Sequence, residues 1–176
     1  MADDIVEIGE GAFAGDEKLQ KIVIGSSVKK IDSGAFASCI NLRTVEMSDS
    51  VELIGSHCFY NCSTLSEITL SKNIKYIYPY TFSECRVLES IEIPEGVTVI
   101  DHIAFGNCYA LESLTLPSTL KTIEYQAFAN CIRLYEVDFE KLTSLESIGT
   151  SAFYGCPFRK IVLPNGLKTI STSAFA

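Results

Sequence analysis

The sequence predicts a repeat solenoid, a rod of stacked coils of about 23 residues each. Three observations carry this. Eight phenylalanines (Phe13, Phe36, Phe59, Phe82, Phe105, Phe128, Phe153 and Phe175) recur at spacings of 23, 23, 23, 23, 23, 25 and 22. Three residues after six of them stands a cysteine: Cys39, Cys62, Cys85, Cys108, Cys131 and Cys156. Aliphatic pairs flank the phenylalanines at fixed offsets, as in Val97/Ile100 before Phe105 and Leu114/Leu116 after it.

Each element follows in order. The stretch Leu-x-x-Ile-x-Ile, as in Leu88 to Ile93, ends in a period of two, which predicts a short strand with its aliphatics inward. A turn region follows, as in Pro94-Glu95-Gly96 and Pro117-Ser118-Thr119. A short helical segment is expected around the Ala-Phe pair. Its cap slot holds Asp32, Asp101 and Ser171, and Pro79 falls at a first helical position. The slot two after Phe holds Gly15, Asn61, Asn107, Asn130 and Gly155, which suit a left-handed ending and limit the segment to one or two α or 3₁₀ turns. One coil cannot bury its aliphatics alone. Coils stacked about 4.8 Å apart can, as a parallel sheet lining one face. The expected fold is an α/β repeat solenoid of seven to eight coils, a single domain over residues 1–176.

Composition excludes several functions. Lys and Arg number 14 against 22 Asp and Glu, a net charge of −8, so neither nucleic acid nor an anionic membrane suits the chain as main partner. No apolar run reaches the roughly 18–20 residues of a spanning helix, so membrane insertion is not expected. The six cysteines share one slot and neighbour each other. They read as buried thiol fillers, with disulfides between adjacent coils as the alternative. Cys58 fills the small slot before Phe59. No Cys-x-x-Cys pair, phosphate loop or nucleophile elbow occurs, and His57 and His102 stand two coils apart. No catalytic residue, metal or cofactor is expected, and the chain reads as non-enzymatic.

The hexads Ile8-Gly9-Glu10-Gly11-Ala12-Phe13, Ile54-Gly55-Ser56-His57-Cys58-Phe59 and Ile148-Gly149-Thr150-Ser151-Ala152-Phe153 resemble the BspA-like, or Treponema-type, leucine-rich repeats of bacteria and anaerobic protists, over residues 5–176. The resemblance implies a curved right-handed superhelix and a role in adhesion or host interaction at a cell surface. An intracellular scaffold or interaction module is the alternative. Asp16 departs from the cysteine slot. The seventh coil gains two residues near Glu140 and loses one at Cys156-Pro157-Phe158, where Phe158 stands in for leucine. The start Met1-Ala2-Asp3-Asp4 has neither the basic nor the apolar part of a secretory signal. A complete chain would then be cytoplasmic, whereas a segment of a longer array would share its parent's surface or secreted location. Bare end coils are expected to expose Ile5, Ile8 and Phe13 at one end and Ile161, Leu163 and Phe175 at the other, favouring end-to-end association.

Two faces are candidate sites for a protein or peptide partner. Residues alternating with the inward aliphatics face outward on the concave sheet. There Glu46, Glu67, Thr69, Glu92, Thr115, Glu136 and Asp138 form an acidic, hydroxyl-rich surface suited to a basic segment. The plain alternative is a solvated sheet face. The competing site is the convex stripe of Tyr76, Tyr78 and Tyr80, whose plain alternative is rings lying flat over backbone.

Overall fold

The computed structural model describes residues 4–176, so the first three residues of the start, on which the signal reading rests, lie outside it. The chain winds as coils carrying two rows of parallel strands. The long row comprises Lys21–Ile24, Thr44–Met47, Glu67–Thr69, Ser90–Glu92 and Ser113–Thr115. Its register puts Ile22 beside Val45 and Val45 beside Ile68, the residue one repeat away, so like side chains stack in columns. The short row comprises Glu7–Ile8, Lys30–Ile31, Leu53–Ile54, Tyr76–Ile77, Val99–Ile100, Thr122–Ile123, Ser147–Ile148 and Thr169–Ile170. These are the aliphatics five before each Phe. Two residues are too few to display a period, which is why they read as inward side chains without a strand.

Both rows break at the same place. No strand pairing joins Glu67–Thr69 to Ser90–Glu92, or Leu53–Ile54 to Tyr76–Ile77. The third and fourth coils are joined on the remaining side, where His57, Phe59 and Asn61 donate N–H bonds to the carbonyls of Pro79, Thr81 and Ser83 at 2.8–3.0 Å.

The Ala-Phe segment is not a helix, contrary to expectation. Ala12, Ala14 and Asp16 donate to Gly9, Gly11 and Phe13, closing three successive turns. The alternate N–H groups of Gly11, Phe13 and Gly15 leave the coil for the carbonyls of Ser33, Ala35 and Ala37 on the next, at 2.7–3.1 Å. A helix keeps its N–H groups to itself. Here the chain turns left-handed two residues after each Phe, as the sequence indicates, and also two before. That earlier slot holds Gly11 and Gly34 but also His57, Tyr80, Ile103 and Gln126, with φ between 52° and 64°. Among the described residues the one helix is the 3₁₀ turn Phe139–Lys141, where the seventh coil's insertion replaces a long strand.

The core is a continuous column. All eight repeat phenylalanines stack in offset parallel fashion, with centroids 5.1–5.6 Å apart and planes within 16°. The widest gap, 5.6 Å between Phe59 and Phe82, falls at the junction where the strand rows break. All seven cysteines are free thiols. The six of the repeat slot each donate S–H to the carbonyl of the preceding coil's Phe at 3.0–3.4 Å. Burial pushes the Cys62 and Cys108 thiols up to about 12. Phe158 takes the leucine place in the seventh coil, edge-on to Phe153 at 5.5 Å. At the ends, Ile5 and Leu163 are exposed and Phe13, Ile161 and Phe175 half-buried, but Ile8 is buried, because it turns inward beside Ile31.

Candidate protein-binding surfaces

On the long-strand face the expected outward residues are all exposed: Glu46, Glu67, Thr69, Glu92, Thr115, Glu136 and Asp138. Strand register alternates carboxylate and hydroxyl, with Glu46 beside Thr69 and Glu92 beside Thr115. That spacing keeps like charges two strands apart, about 10 Å. Glu136 and Asp138 continue the line past the last long strand. Lys21 neutralises Glu46 at 2.6 Å, and Lys141 neutralises Asp138 at 2.7 Å. Among the described residues Glu67, Glu92 and Glu136 have no ion-pair partner, so the centre of this face carries unbalanced negative charge.

Two open hollows lie on the same face. One, of about 430 Å³, sits over the third to fifth coils and is lined by Thr69, Lys72, Ser90, Glu92, Ser113 and Thr115. The other, of about 530 Å³, lies beside the seventh coil and brings Glu112, Glu136, Asp138, Glu140 and Lys160 together. The sequence indicated Glu136 and Asp138 but not the rim residues Glu112 and Glu140. The signal was the insertion near Glu140, whose 3₁₀ turn ends the strand row.

The three tyrosines of the other candidate site are half-buried. The Tyr76 hydroxyl donates to Asp101, and its ring lies 4.6 Å from Tyr78. Burial and this carboxylate push the Tyr76 phenol above its ordinary value of 10.0. Asp101 is pushed up by burial, but hydrogen bonds from Tyr76 and from the backbone and ring of His102 overcome this and hold it below 3.8. Tyr80 stands apart from that pair. Its ring stacks on His57 at 4.6 Å and meets His102 edge-on at 5.8 Å. His57 shares the Tyr80 slot one coil earlier, so repeat spacing placed it in the stripe; His102, one residue outside that slot, gave no such signal. The His102–Asp101 contact of 2.6 Å orients an imidazole, but among the described residues no serine or cysteine nucleophile hydrogen-bonds to it. Among the described residues no group of three or more His, Cys, Asp or Glu side chains is placed to hold a metal ion. Among the same residues no helix is long and apolar enough to cross a membrane.

Solved structures of the same architecture bear on these faces. A leucine-rich cell surface protein from Faecalibacterium prausnitzii is 40% identical with a TM-score of 0.63, over 65% of this chain and 30% of that one. A leucine-rich repeat protein from Eubacterium ventriosum is 29% identical with a TM-score of 0.82, over 91% of this chain and 43% of that one. The chain thus spans less than half the length of these two. The Treponema pallidum leucine-rich repeat protein is 31% identical with a TM-score of 0.80, over 93% of this chain and 74% of that one. Among curated proteins none matches. The sequence profile described as the BspA type leucine rich repeat region matches in six copies, over residues 6–135 and 98–176. With its phenylalanine column, two parallel strand rows and 23-residue coil, the chain belongs to the BspA-type leucine-rich-repeat family.

Proposed function

We propose that the chain is a non-enzymatic binding module that receives a basic protein segment on its long-strand face, as part of an adhesive cell-surface protein. The observation that carries this is the row of unpaired, exposed carboxylates Glu67, Glu92 and Glu136 beside two hollows. The surface location is supported by the likeness to the Faecalibacterium cell surface protein. Carboxylates of one sign steer a cationic partner, and screening over about 8 Å at physiological ionic strength weakens that attraction. Stacked coils also offer a rigid surface, so little ordering cost falls on this side of a complex.

The test is a titration with a fluorescent Lys- and Arg-rich peptide at low and physiological salt. Binding is expected to weaken with salt. The double variant Glu67→Lys/Glu92→Lys is expected to reduce affinity by tenfold or more while leaving thermal unfolding unchanged, since both side chains are exposed. Binding that ignores both the salt and the double variant, but is lost in Tyr78→Ala/Tyr80→Ala, would move the protein site to the tyrosine face.

A further inference from the structure

The face formed by the successive turns carries almost no charge. From three residues before each column Phe to two after it, the eight turn runs contain none of the 14 Lys and Arg and only two of the 22 acidic residues, Glu10 and Glu84. Both histidines lie there. What covers this face instead is rings, amides and hydroxyls. In its middle His57 stacks on Tyr80 at 4.6 Å and meets Tyr60 edge-on at 5.9 Å. Tyr60 is 36% exposed and Tyr125, three coils further on, 46%. Beside them runs an amide ladder, in which Asn130 donates to Asn107 at 2.8 Å and Asn107 to Glu84 at 2.7 Å. That last bond occupies one of the two charges on the face.

The backbone beneath the rings is strained. His57 and Tyr80 sit at φ of 56° and 57°, where the first two coils use Gly11 and Gly34. The same slot takes Ile103, Gln126, Ser151 and Ser173 at φ of 52–55°, so the left-handed turn belongs to the repeat and is disfavoured for any residue with a β-carbon. Glycine would satisfy the turn at lower cost. The turn does not call for aromatic rings at these two places, where His57 is exposed and Tyr80 half-buried.

We propose that this turn face binds a neutral polysaccharide. The charges at its edges are already paired, Arg86 with Glu84 at 3.0 Å and Asp101 with His102 at 2.6 Å, so a polyanion or polycation finds little free countercharge on it. Aromatic faces take the C–H surface of a sugar ring, and the flanking amides and hydroxyls take its hydroxyl groups. The coils rise by about 4.8 Å, close to the length of one sugar residue, so a glycan lying along the rod meets equivalent groups at each step. This site is separate from the acidic strand face.

The experiment is native electrophoresis of the chain through gels containing soluble starch, mixed-linkage β-glucan, galactomannan or xylan. Retardation is expected in at least one of them, and Glu67→Lys/Glu92→Lys should leave it unchanged relative to a non-binding control of matched charge. His57→Gly and Tyr80→Gly remove the rings and relieve the backbone. Both are expected to melt at or above the parent temperature and to lose the retardation. Unchanged mobility in all four gels overturns the proposal, as does retardation that survives both variants. A fall in Tm in both glycine variants assigns the rings to packing and also overturns it. So does a dimer seen by light scattering that dissociates in the same variants, since the face would then belong to a second copy.

Discussion

Single positions in this molecule are governed by how closely neighbouring coils approach. At Gly55 an added β-carbon would lie 2.5 Å from the Ser33 nitrogen and 2.8 Å from the Asp32 carbonyl carbon. At the same slot of the first coil, Gly9 has nothing within 4 Å. Gly55→Ala is expected to cost about 1–3 kcal/mol by overpacking, and Gly9→Ala to leave the denaturant midpoint in place. Ile103 is the opposite case, a β-branched residue at φ 55°. Asparagine tolerates that region, so Ile103→Asn is expected to gain about 1 kcal/mol. A midpoint at or below the parent's would show that the half-buried side chain packs better than its backbone is strained. Acid sensitivity also belongs here. Burial, and then the charge of His102, hold the His57 imidazole below its ordinary 6.5. Above that value both folded and unfolded chains are neutral at His57. Below it the unfolded chain takes up a proton that the folded chain resists, so stability falls as pH drops. Asp101 adds a later loss, because its carboxylate is held below 3.8 when folded and its contribution disappears as pH falls through that lower value. Denaturant midpoints are expected to be flat just above neutrality, to decline below 6.5 and to fall more steeply near 4. His57→Gly should remove the first decline.

Strands, turns and the phenylalanine column were legible to different degrees, for physical reasons. The long strands announced themselves because four or five residues of alternating pattern suffice to show a period of two. The short strands did not. Their identity comes from pairing with the next coil, as Ile31 pairs with Ile54, and not from anything within one coil. The Ala-Phe segment misread as helix because Asp32 and Asn107 suit helix ends as well as they suit turns. What decides between the two is where the N–H groups go, and in a solenoid half of them go to the neighbouring coil. Left-handed geometry two before Phe was invisible at His57, Tyr80 and Ile103 because inter-coil bonding overrides the preference of those residues. The column itself was plain from spacing alone. Phe82→Ala is expected to cost about 3–5 kcal/mol, as for other fully buried aromatics, and Phe13→Ala clearly less, because Phe13 is only half-buried. Equal losses in calorimetry would mean that stacking is not what holds the centre. Of the candidate protein site, the exposed row Glu46 to Asp138 was readable from alternation. The hollow by Glu140 was not, since an insertion's length does not reveal its shape.

Across the whole rod, stability should behave as a chain of coupled coils. Coupling is weakest between the third and fourth coils, where both strand rows are interrupted and the backbone bonds that cross are those of His57, Phe59 and Asn61 on the turn face. Local opening follows the least-bonded interface. Amide hydrogens of Ser90–Glu92 are therefore expected to exchange faster than those of Thr44–Met47, which pair on both sides. Uniform protection along the long row would mean that the interruption carries no energetic weight.

The direction of the hydrogen bonds has a consequence for ancestry. Turn N–H groups point toward the following coil, as Gly11 does to Ser33, while short-strand N–H groups point toward the preceding one, as Leu53 does to Lys29. Every regular coil therefore offers its successor the same donors and acceptors that it receives from its predecessor. A gene segment encoding one coil can be duplicated or lost by unequal recombination, and the new junction reproduces an old one. Repeat number is thus the variable that such a lineage can change at least risk. Length can then drift to suit the reach a surface demands while each ring, thiol and strand keeps its neighbours.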